Sequence, residues 1–238
     1  RKWYGNQYFV LRYERDGQDL IELVKNKYPK ISDPEFVIKN RKYYFKDCIT
    51  WTDLTSSMLS ARYQPLGSIF DVSGHSAFVD SKIKRDVILS FLNSKIGHQV
   101  SLVLNGSFHF QVGDYKKLPY LECVEDAFLS ESVDELIDNA KLDWDFYESS
   151  WGFDKNPITK IGSNQGGKLS DSYGCWLNKC SNIYQRSFLL ESKINDVIAE
   201  KIDIFSPLLE PKDITLSCNP HYQYGGNRSE EELEALSQ

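Results

Sequence analysis

The sequence predicts an α+β protein, with short strands of mixed pairing in its front half and helices in its back half. Apolar and polar residues roughly alternate over residues 49–74, as they do in half-buried strands. From residue 82 onward the apolar residues recur at three- and four-residue spacing, which is typical of amphipathic helices. Residues 1–122 and 123–238 are therefore expected to form two successive regions.

The first expected element is a strand over residues 7–13, closed by a turn at residues 16–17. A short amphipathic helix should follow, with four apolar residues on its buried face: Leu20, Ile21, Leu23 and Val24. The alternation over residues 49–74 then predicts two or three short strands, with a turn at Pro65 and Gly67.

Residues 82–104 have the helical period, and Gly97 is the expected break near their end. The buried stripe of this helix should consist of Ile83, Val87, Ile88, Phe91, Leu92 and Ile96. A turn at residues 105–106 predicts a strand over residues 108–112, and the basic Lys-Lys-Leu-Pro stop at residues 116–119 completes a compact unit.

The back half is expected to be mostly helical. Apolar spacing predicts helices over residues 133–151 and 177–205, the second being the longest in the chain. Residues 152–174 between them are rich in glycine and serine and predict a flexible loop. The tail after Ser229 predicts an acidic helical segment.

Charge is divided unevenly along the chain. Residues 1–120 carry 18 Lys and Arg against 12 Asp and Glu, or +6, whereas residues 121–238 carry 10 against 22, or −12, which together give the net charge of −6. A basic front half indicates a surface that faces a polyanion. Ordinary surface charge, unevenly spread, would give the same numbers.

Composition argues against membrane and secreted proteins. No stretch approaches the roughly 18 apolar residues of a membrane helix, and no basic, apolar leader is visible. The five cysteines are scattered and odd in number, which predicts free thiols in a reducing cytoplasm. The chain starts at Arg1 and its one methionine is Met58, so we expect a piece of a longer protein.

Three segments approach a catalytic motif and lack a required residue. Residues 162–168 have the spacing of a phosphate-binding loop, but Leu169 stands where that motif needs Ser or Thr. Residues 74–78 approach a nucleophile elbow, but Phe78 replaces the second glycine. Residues 219–222 read Asn-Pro-His-Tyr, with histidine where amino-methyltransferases carry a second proline. We therefore expect no catalytic, cofactor or metal site within this chain.

Several segments resemble one family in the order in which they occur. They are RKWYGN at the start, ITWTDLTSSMLSARYQPLGSIFDVSG, ILSFLNSKIGHQVSLVLNGSFHFQVGDYKKLPY, LDWDFYESSW, and PKDITLSCNPHYQYGG with SEEELEAL near the end. Together they resemble the C-terminal part of BREX-type, PglX-like adenine-specific DNA methyltransferases. The block from FLNSK to KKLP is also similar to target-recognition domains of type I specificity subunits and of fused restriction-modification enzymes.

The resemblance implies a division of labour. A methyltransferase domain N-terminal to this chain would bind S-adenosylmethionine and flip the target adenine, in a system that marks host DNA and defends bacteria against phage. Residues 1–122 would be the DNA target-recognition domain, and residues 123–238 a helical spacer. Implied partners are double-stranded DNA, that methyltransferase domain, and other defence-system subunits or phage inhibitor proteins.

Polar and planar side chains of the front half are the candidates for DNA contact. Base reading is expected from Trp51, Ser60, Arg62, Tyr63 and Gln111. Phosphate contacts are expected from the basic residues Arg41, Lys42, Lys46, Lys82, Lys84, Arg85, Lys116 and Lys117. Core packing would explain the two aromatic residues as well, a surface salt bridge would explain Arg62, and a solvated turn would explain the Lys116–Lys117 pair.

A second hypothesis comes from another class of function. The long helical pattern over residues 177–205 and the acidic charge of the back half are typical of a protein-interaction module. Such a module would dock the methyltransferase onto partner subunits. The two hypotheses are compatible if they hold for different halves.

Overall fold

A computed structural model describes residues 1–54, 57–71, 73–124, 127–165, 168–225, 229 and 231–232. In this part of the chain the strands are β1 (Cys48–Thr52), β2 (Ala61–Gln64) and β3 (Gly74–Ala77). The helices are α1 (Gln18–Lys27), α2 (Lys82–Asn93), α3 (Lys95–Leu104), α4 (Val112–Tyr115), α5 (Ala127–Trp144), α6 (Pro157–Gln165), α7 (Leu169–Lys201) and α8 (Pro220–Tyr224). With 52% helix and a small sheet, the α+β prediction is confirmed.

The sheet has β1 at its centre, in the order β2-β1-β3, and both neighbours are antiparallel to it. The prediction of two or three strands in this region is confirmed, and the predicted turn at Pro65 and Gly67 follows β2 directly. Near the start of the chain, Trp3 forms an isolated parallel bridge to Arg62. This bridge places the first residues of the chain along β2.

The two faces of the sheet differ in polarity because successive side chains point to opposite sides. One face joins the core, and its side chains are the buried Ile49, Trp51, Ala61 and Ala77 and the partly buried Tyr63 and His75. The opposite face is mostly polar, and its side chains are Cys48, Thr50, Thr52, Arg62, Gln64 and Ser76. The alternation in the sequence therefore separates a packing face from a more polar face.

The break between α2 and α3 lies at Ser94, not at Gly97 as predicted. The two helices meet at 75°, and Ser94 begins α3 because its Oγ accepts a hydrogen bond from the Gly97 backbone N at 2.9 Å. Gly97 is required for a different reason. A Cβ atom there would lie 1.9 Å from the Phe91 carbonyl oxygen, so only glycine allows the two helices to come this close.

Two predicted strands of the front half do not form among the described residues. Residues 7–13 lie in no strand, although the predicted helix α1 follows them with Val24 buried. Residues 108–112 contribute only the isolated bridge between Leu54 and His109. The Asp114 carboxylate accepts a hydrogen bond from the Gln111 backbone N at 3.1 Å and so starts α4 where the strand was expected to end.

The long helices of the back half are confirmed, with shifted ends, as α5 and α7. The predicted loop at residues 152–174 is wrong in its centre, where α6 forms, and at its end, where α7 begins at Leu169. The start of α6 follows from Pro157 at the first helical position and from the Asn156 side chain, which accepts a hydrogen bond from the Ile158 backbone N at 3.0 Å. Most of the predicted acidic tail after residue 229 lies outside the described residues.

Front and back halves share one hydrophobic core, which takes residues from the sheet, α2, α5 and α7. Buried ion pairs reinforce the junction. Lys2 Nζ lies 2.7 Å from Glu191 of α7, and Trp3 donates its ring N–H to the same carboxylate at 2.7 Å. Arg1 pairs with Asp143 of α5 at 2.5 Å. The division of function at residue 122 stays a prediction.

Among the described residues, no single helix is long and apolar enough to cross a membrane. The bent pair of α2 and α3 reaches the required length and composition only when the two are taken together.

Candidate nucleic-acid interface

Trp51, the first predicted base reader, lies in the core. Its side chain is 1% exposed, its ring N–H donates to the Phe110 carbonyl oxygen at 2.8 Å, and its ring stacks on Tyr115 with centroids 5.0 Å apart. In this position Trp51 has no surface to present to DNA. It fixes the segment before α4 against the end of β1 instead.

Arg62 is also buried, on the polar face of the sheet. The surface salt bridge that would also have explained Arg62 does not form, since Arg62 makes no ion pair with a described residue. Its guanidinium donates to the Arg1 carbonyl oxygen and to Thr52 Oγ1, each at 3.2 Å. Burial, together with the nearby Arg1 charge, lowers the pKa of Arg62 to about 10. The arrangement ties β2, β1 and the start of the chain together.

Ser60, Tyr63 and Gln111 are the predicted base readers that keep solvent exposure. Ser60 Oγ donates to the Met58 carbonyl oxygen at 3.2 Å. Tyr63 is half-buried under the Arg85 guanidinium, whose carbon lies 4.6 Å from the ring centroid, and burial raises the pKa of Tyr63. Gln111 is exposed at the start of α4. These three side chains remain available to a ligand.

Most of the predicted phosphate contacts are engaged by carboxylates of the chain itself. Arg41 pairs with Asp16 at 3.1 Å, and Lys84 lies 3.6 Å from Asp80. The other two basic residues of α2, Lys82 and Arg85, also pair with carboxylates. The pairs are Lys82–Asp86 at 2.8 Å, Lys82–Asp134 at 2.9 Å and Arg85–Asp86 at 2.7 Å. Apart from Asp134, these carboxylates are already counted in the +6 of this half, but the ion pairs leave fewer of its cations free to contact a polyanion.

Lys116 and Lys117 differ although they are adjacent. Lys117 pairs with Asp114 at 3.1 Å, whereas Lys116 is exposed and forms no ion pair with a described residue. Burial raises the pKa of Asp114, but hydrogen bonds from the Gln111 backbone N and from Lys117 outweigh it and hold that pKa below its usual range. Lys116 is therefore the freer of the two.

Lys42 and Lys46 flank an aromatic pair. Their Nζ atoms lie 5.1 and 5.3 Å from the centroid of the Tyr43 ring, which stacks on Phe78 with centroids 4.7 Å apart. Both lysines are exposed and form no ion pair with a described residue. We call Lys42, Tyr43, Lys46 and Phe78 the Tyr43 platform. Exposed ammonium groups beside an aromatic ring suit phosphates and stacked bases.

The sequence analysis missed a cleft of about 820 Å³ over the polar face of the sheet. Its floor includes Thr50, Gln64 and Ser76, and residues 6–11 and 64–71 line its sides. Gln7 donates to Gln64 Oε1 at 3.1 Å and so joins one side to the floor. The polar residues that alternate with apolar ones in the strands indicated a polar face of the sheet. The sequence alone could not show that other parts of the chain leave this face uncovered.

A second cluster that the sequence analysis missed joins three segments at the end of β1. Asp53 lies 3.5 Å from His75 Nε2 of β3 and 3.0 Å from His109 Nδ1, which precedes α4. Its role in the fold is to link the segment that carries Gln111 to the sheet. Within the described ranges, no group of three or more His, Cys, Asp or Glu is placed to hold a metal ion.

No family model matches the chain. It is 31% identical over 229 residues, 94% of its length, to the adenine-specific methyltransferase BrxX of Escherichia coli O9:H4 (strain HS). It is 28% identical over 221 residues, 91% of its length, to the adenine-specific methyltransferase PglX of Lacticaseibacillus casei (strain Zhang).

Over nearly its whole length the chain is similar to one segment of BREX-type, PglX-like adenine-specific methyltransferases. The resemblance found in its segments is thereby confirmed. The chain spans less than a fifth of the length of these curated relatives, 17% of the first and 18% of the second.

The Asn-Pro-His-Tyr segment of this PglX-like chain forms the start of α8. Asn219 is fully buried, and its Oδ1 accepts a hydrogen bond from the His221 backbone N at 3.1 Å. Its Nδ2 donates to the carbonyl oxygens of Ile214 at 2.7 Å and Pro211 at 2.9 Å. The amide is therefore used by the fold as a helix cap and a loop anchor.

Proposed function

We propose that this chain is the DNA target-recognition region of a site-specific, S-adenosylmethionine-dependent adenine-N6 methyltransferase of a BREX phage-defence system. Catalysis and cofactor binding belong to another part of the longer polypeptide. One observation carries the proposal: at least 91% of the chain aligns with less than a fifth of each of two adenine-specific methyltransferases.

Two exposed groups of side chains support DNA contact. The Tyr43 platform offers two ammonium groups beside an aromatic ring, and Lys116 offers a third; none of the three forms an ion pair with a described residue. Ammonium groups without a protein carboxylate gain most from a phosphate, because no existing ion pair has to be broken. We therefore assign phosphate contact to Lys42, Lys46 and Lys116, with Lys117 beside them.

Base reading in this proposal belongs to the members of the predicted set that keep some exposure, which are the exposed Gln111 and the half-buried Ser60 and Tyr63. A glutamine amide can donate and accept at once, as recognition of an adenine edge requires. Trp51 and Arg62 take a supporting role, since they hold the strands and the segment before α4 in place.

The experiment compares charge-removing variants in the full-length protein. The test variants are Lys42→Ala/Lys46→Ala and Lys116→Ala/Lys117→Ala. The control is Lys160→Ala/Lys212→Ala, which removes two charges from the back half. Lys160 matches Lys117 in exposure and in pairing. The Lys117 side chain is 57% exposed and lies 3.1 Å from Asp114, and the Lys160 side chain is 58% exposed and lies 3.0 Å from Asp154.

Each test variant should bind duplex DNA about tenfold more weakly and should lower the salt dependence of binding by about two phosphate contacts. Genome-wide mapping of methylated adenines should show the same sites, less completely modified, because phosphate contacts carry no sequence information. Unchanged binding in both test variants, or an equal loss in the control, would contradict the proposal.

A protein-interaction role for the back half is the second candidate. Four exposed apolar side chains on and after α7 favour it, namely Leu169, Leu189, Phe205 and Leu208. Phe205→Asp/Leu208→Asp in the full-length protein should then reduce co-purification with partner subunits while DNA affinity stays unchanged. Loss of DNA affinity with intact co-purification would refute it.

A further inference from the structure

Residues 7–13 have the sequence of a strand but pair with no strand among the described residues. They read Gln-Tyr-Phe-Val-Leu-Arg-Tyr, which is rich in aromatic and branched residues. Nevertheless, none of them forms a backbone–backbone hydrogen bond with another described residue. Four consecutive apolar side chains are exposed, with Phe9 at 91% and Val10 at 78%. Strand propensity and apolar exposure together indicate a missing neighbour.

Both ends of this segment are held in place. Before it, Trp3 exchanges backbone hydrogen bonds with β2, donating to the Ala61 carbonyl at 2.9 Å and accepting from the Tyr63 backbone N at 2.8 Å. The Tyr8 ring meets the Trp144 ring edge-on at 5.0 Å, and the Tyr13 ring meets Phe45 in the same way at 5.0 Å. The segment is therefore presented in a defined place and does not trail into solvent.

The cleft supplies space beside the segment. Residues 6–11 and Tyr13 line it on one side, and its volume is about 820 Å³. Apolar rings on its rim include Phe45 and Trp151, both exposed. An extended chain running beside residues 7–13 would cover these rings and pair the free N–H and C=O groups.

The chemistry of the segment selects a polypeptide as the partner. Backbone N–H and C=O groups that alternate along a strand are satisfied by another strand, and consecutive apolar side chains disfavour nucleic acid. A second free copy is disfavoured by size, since seven residues fall well below the roughly 20–30 residues per side of a stable interface. A tethered strand avoids this limit because its effective concentration is high.

We propose that residues 7–13 form one strand of a β-pair whose other strand lies in the same polypeptide, outside residues 1–238. The relatives are more than five times as long as the segments that match, which leaves ample chain to supply it. This inference rests on the proposed function only in requiring a longer polypeptide. It does not depend on DNA binding.

Amide-resolved hydrogen exchange on the full-length protein, without DNA or S-adenosylmethionine, tests the proposal. Every second amide over residues 7–13 should exchange about a hundredfold or more slowly than an unprotected amide, since a strand paired on one edge donates from alternate residues. Uniformly fast exchange would overturn the proposal. Protection that grows with protein concentration would indicate a second copy, and protection that requires DNA would indicate nucleic acid, and either would also overturn it.

Two matched valine variants complete the test. Val10 and Val103 are 78% and 86% exposed, so neither substitution disturbs the core. Val10→Asp should abolish the protection over residues 7–13, whereas Val103→Asp should leave it intact. If the two variants showed the same protection from exchange over residues 7–13, the proposal would be overturned. Failure of the lysine variants to alter DNA affinity would leave this result standing, so the two proposals fail separately.

Discussion

Asn93 at the end of α2 hydrogen-bonds both backbone groups of Ala61 and so takes the place of a neighbouring strand beside β2. Its Oδ1 accepts from the Ala61 backbone N at 2.8 Å, and its Nδ2 donates to the Ala61 carbonyl oxygen at 3.0 Å. Both residues are buried. One amide side chain thus satisfies part of the open edge of β2 and sets the position of α2 on the sheet.

Asn93→Ala should lower the free energy of unfolding by about 2 kcal/mol, because the Ala61 backbone N–H would be buried without a partner. The Ala61 carbonyl would keep its bond from Trp3. Asn139→Ala is the control, since Asn139 is half-buried on α5 and donates one long bond of 3.4 Å to Ser187. Urea unfolding of both variants measures the difference. If Asn93→Ala lowered the free energy of unfolding by less than about 0.5 kcal/mol, and by no more than Asn139→Ala does, the result would contradict this role of Asn93.

Gly97→Ala should destabilise the protein by about 3 kcal/mol, because a backbone carbonyl cannot yield to a Cβ placed 1.9 Å away without opening the angle between α2 and α3. Gly113 supplies the control. It also lies in a helix, but a Cβ there meets no atom within 4 Å, so Gly113→Ala should be neutral or stabilise by up to about 1 kcal/mol. Thermal unfolding of the two variants gives the comparison, and equal melting temperatures would refute the account.

Periodicity predicted the elements that bury a continuous stripe. The sheet around Trp51 and the helices α5 and α7 follow from apolar spacing because the same residues that create the pattern fill the core. The segment at residues 157–165 lacks such a stripe. Its glycine and serine content suggested a loop, while the cap at Asn156 and the proline after it were enough to start α6.

The candidate site was harder to predict than the fold because residue type does not tell which side of a sheet a side chain faces. Trp51 and Arg62 are both suitable for reading bases, yet the register directs Trp51 into the core and draws Arg62 under the first residues of the chain. Likewise, the sequence does not show that Lys82 of α2 pairs with Asp134 of α5, because only the fold brings these two residues together. Long-range contacts decide both cases.

Cys48 should resist alkylation in the folded protein. Burial raises the pKa of its thiol from 9.0 to about 11, so at pH 8 its thiolate fraction is about a hundredfold below that of an ordinary thiol. Cys123 and Cys175 are exposed and should react first. Mass spectrometry of iodoacetamide-treated protein, native and unfolded, identifies each site. Modification of Cys48 at the rate of Cys175 in the native state would contradict the buried position.

His98 should make the protein less stable as the pH falls below neutrality. Its Nδ1 accepts a hydrogen bond from the Leu59 backbone N at 3.3 Å. Burial lowers the pKa of His98, with Lys2 and Lys95 acting in the same direction against Asp213. The unfolded chain therefore takes up this proton first as the pH falls through about 6.5, and stability is lost from there down to the folded-state pKa.

His98→Asn keeps a hydrogen-bond acceptor and removes the titrating group. Between pH 7.5 and 5.5, the wild type should lose more unfolding free energy than this variant, with an excess slope of at most about 1.4 kcal/mol per pH unit for one proton. Taking the difference between the two proteins cancels the contributions that both share. Urea unfolding at a series of pH values provides the measurement. Parallel pH profiles would show that His98 accepts its proton as readily in the folded state as in the unfolded chain.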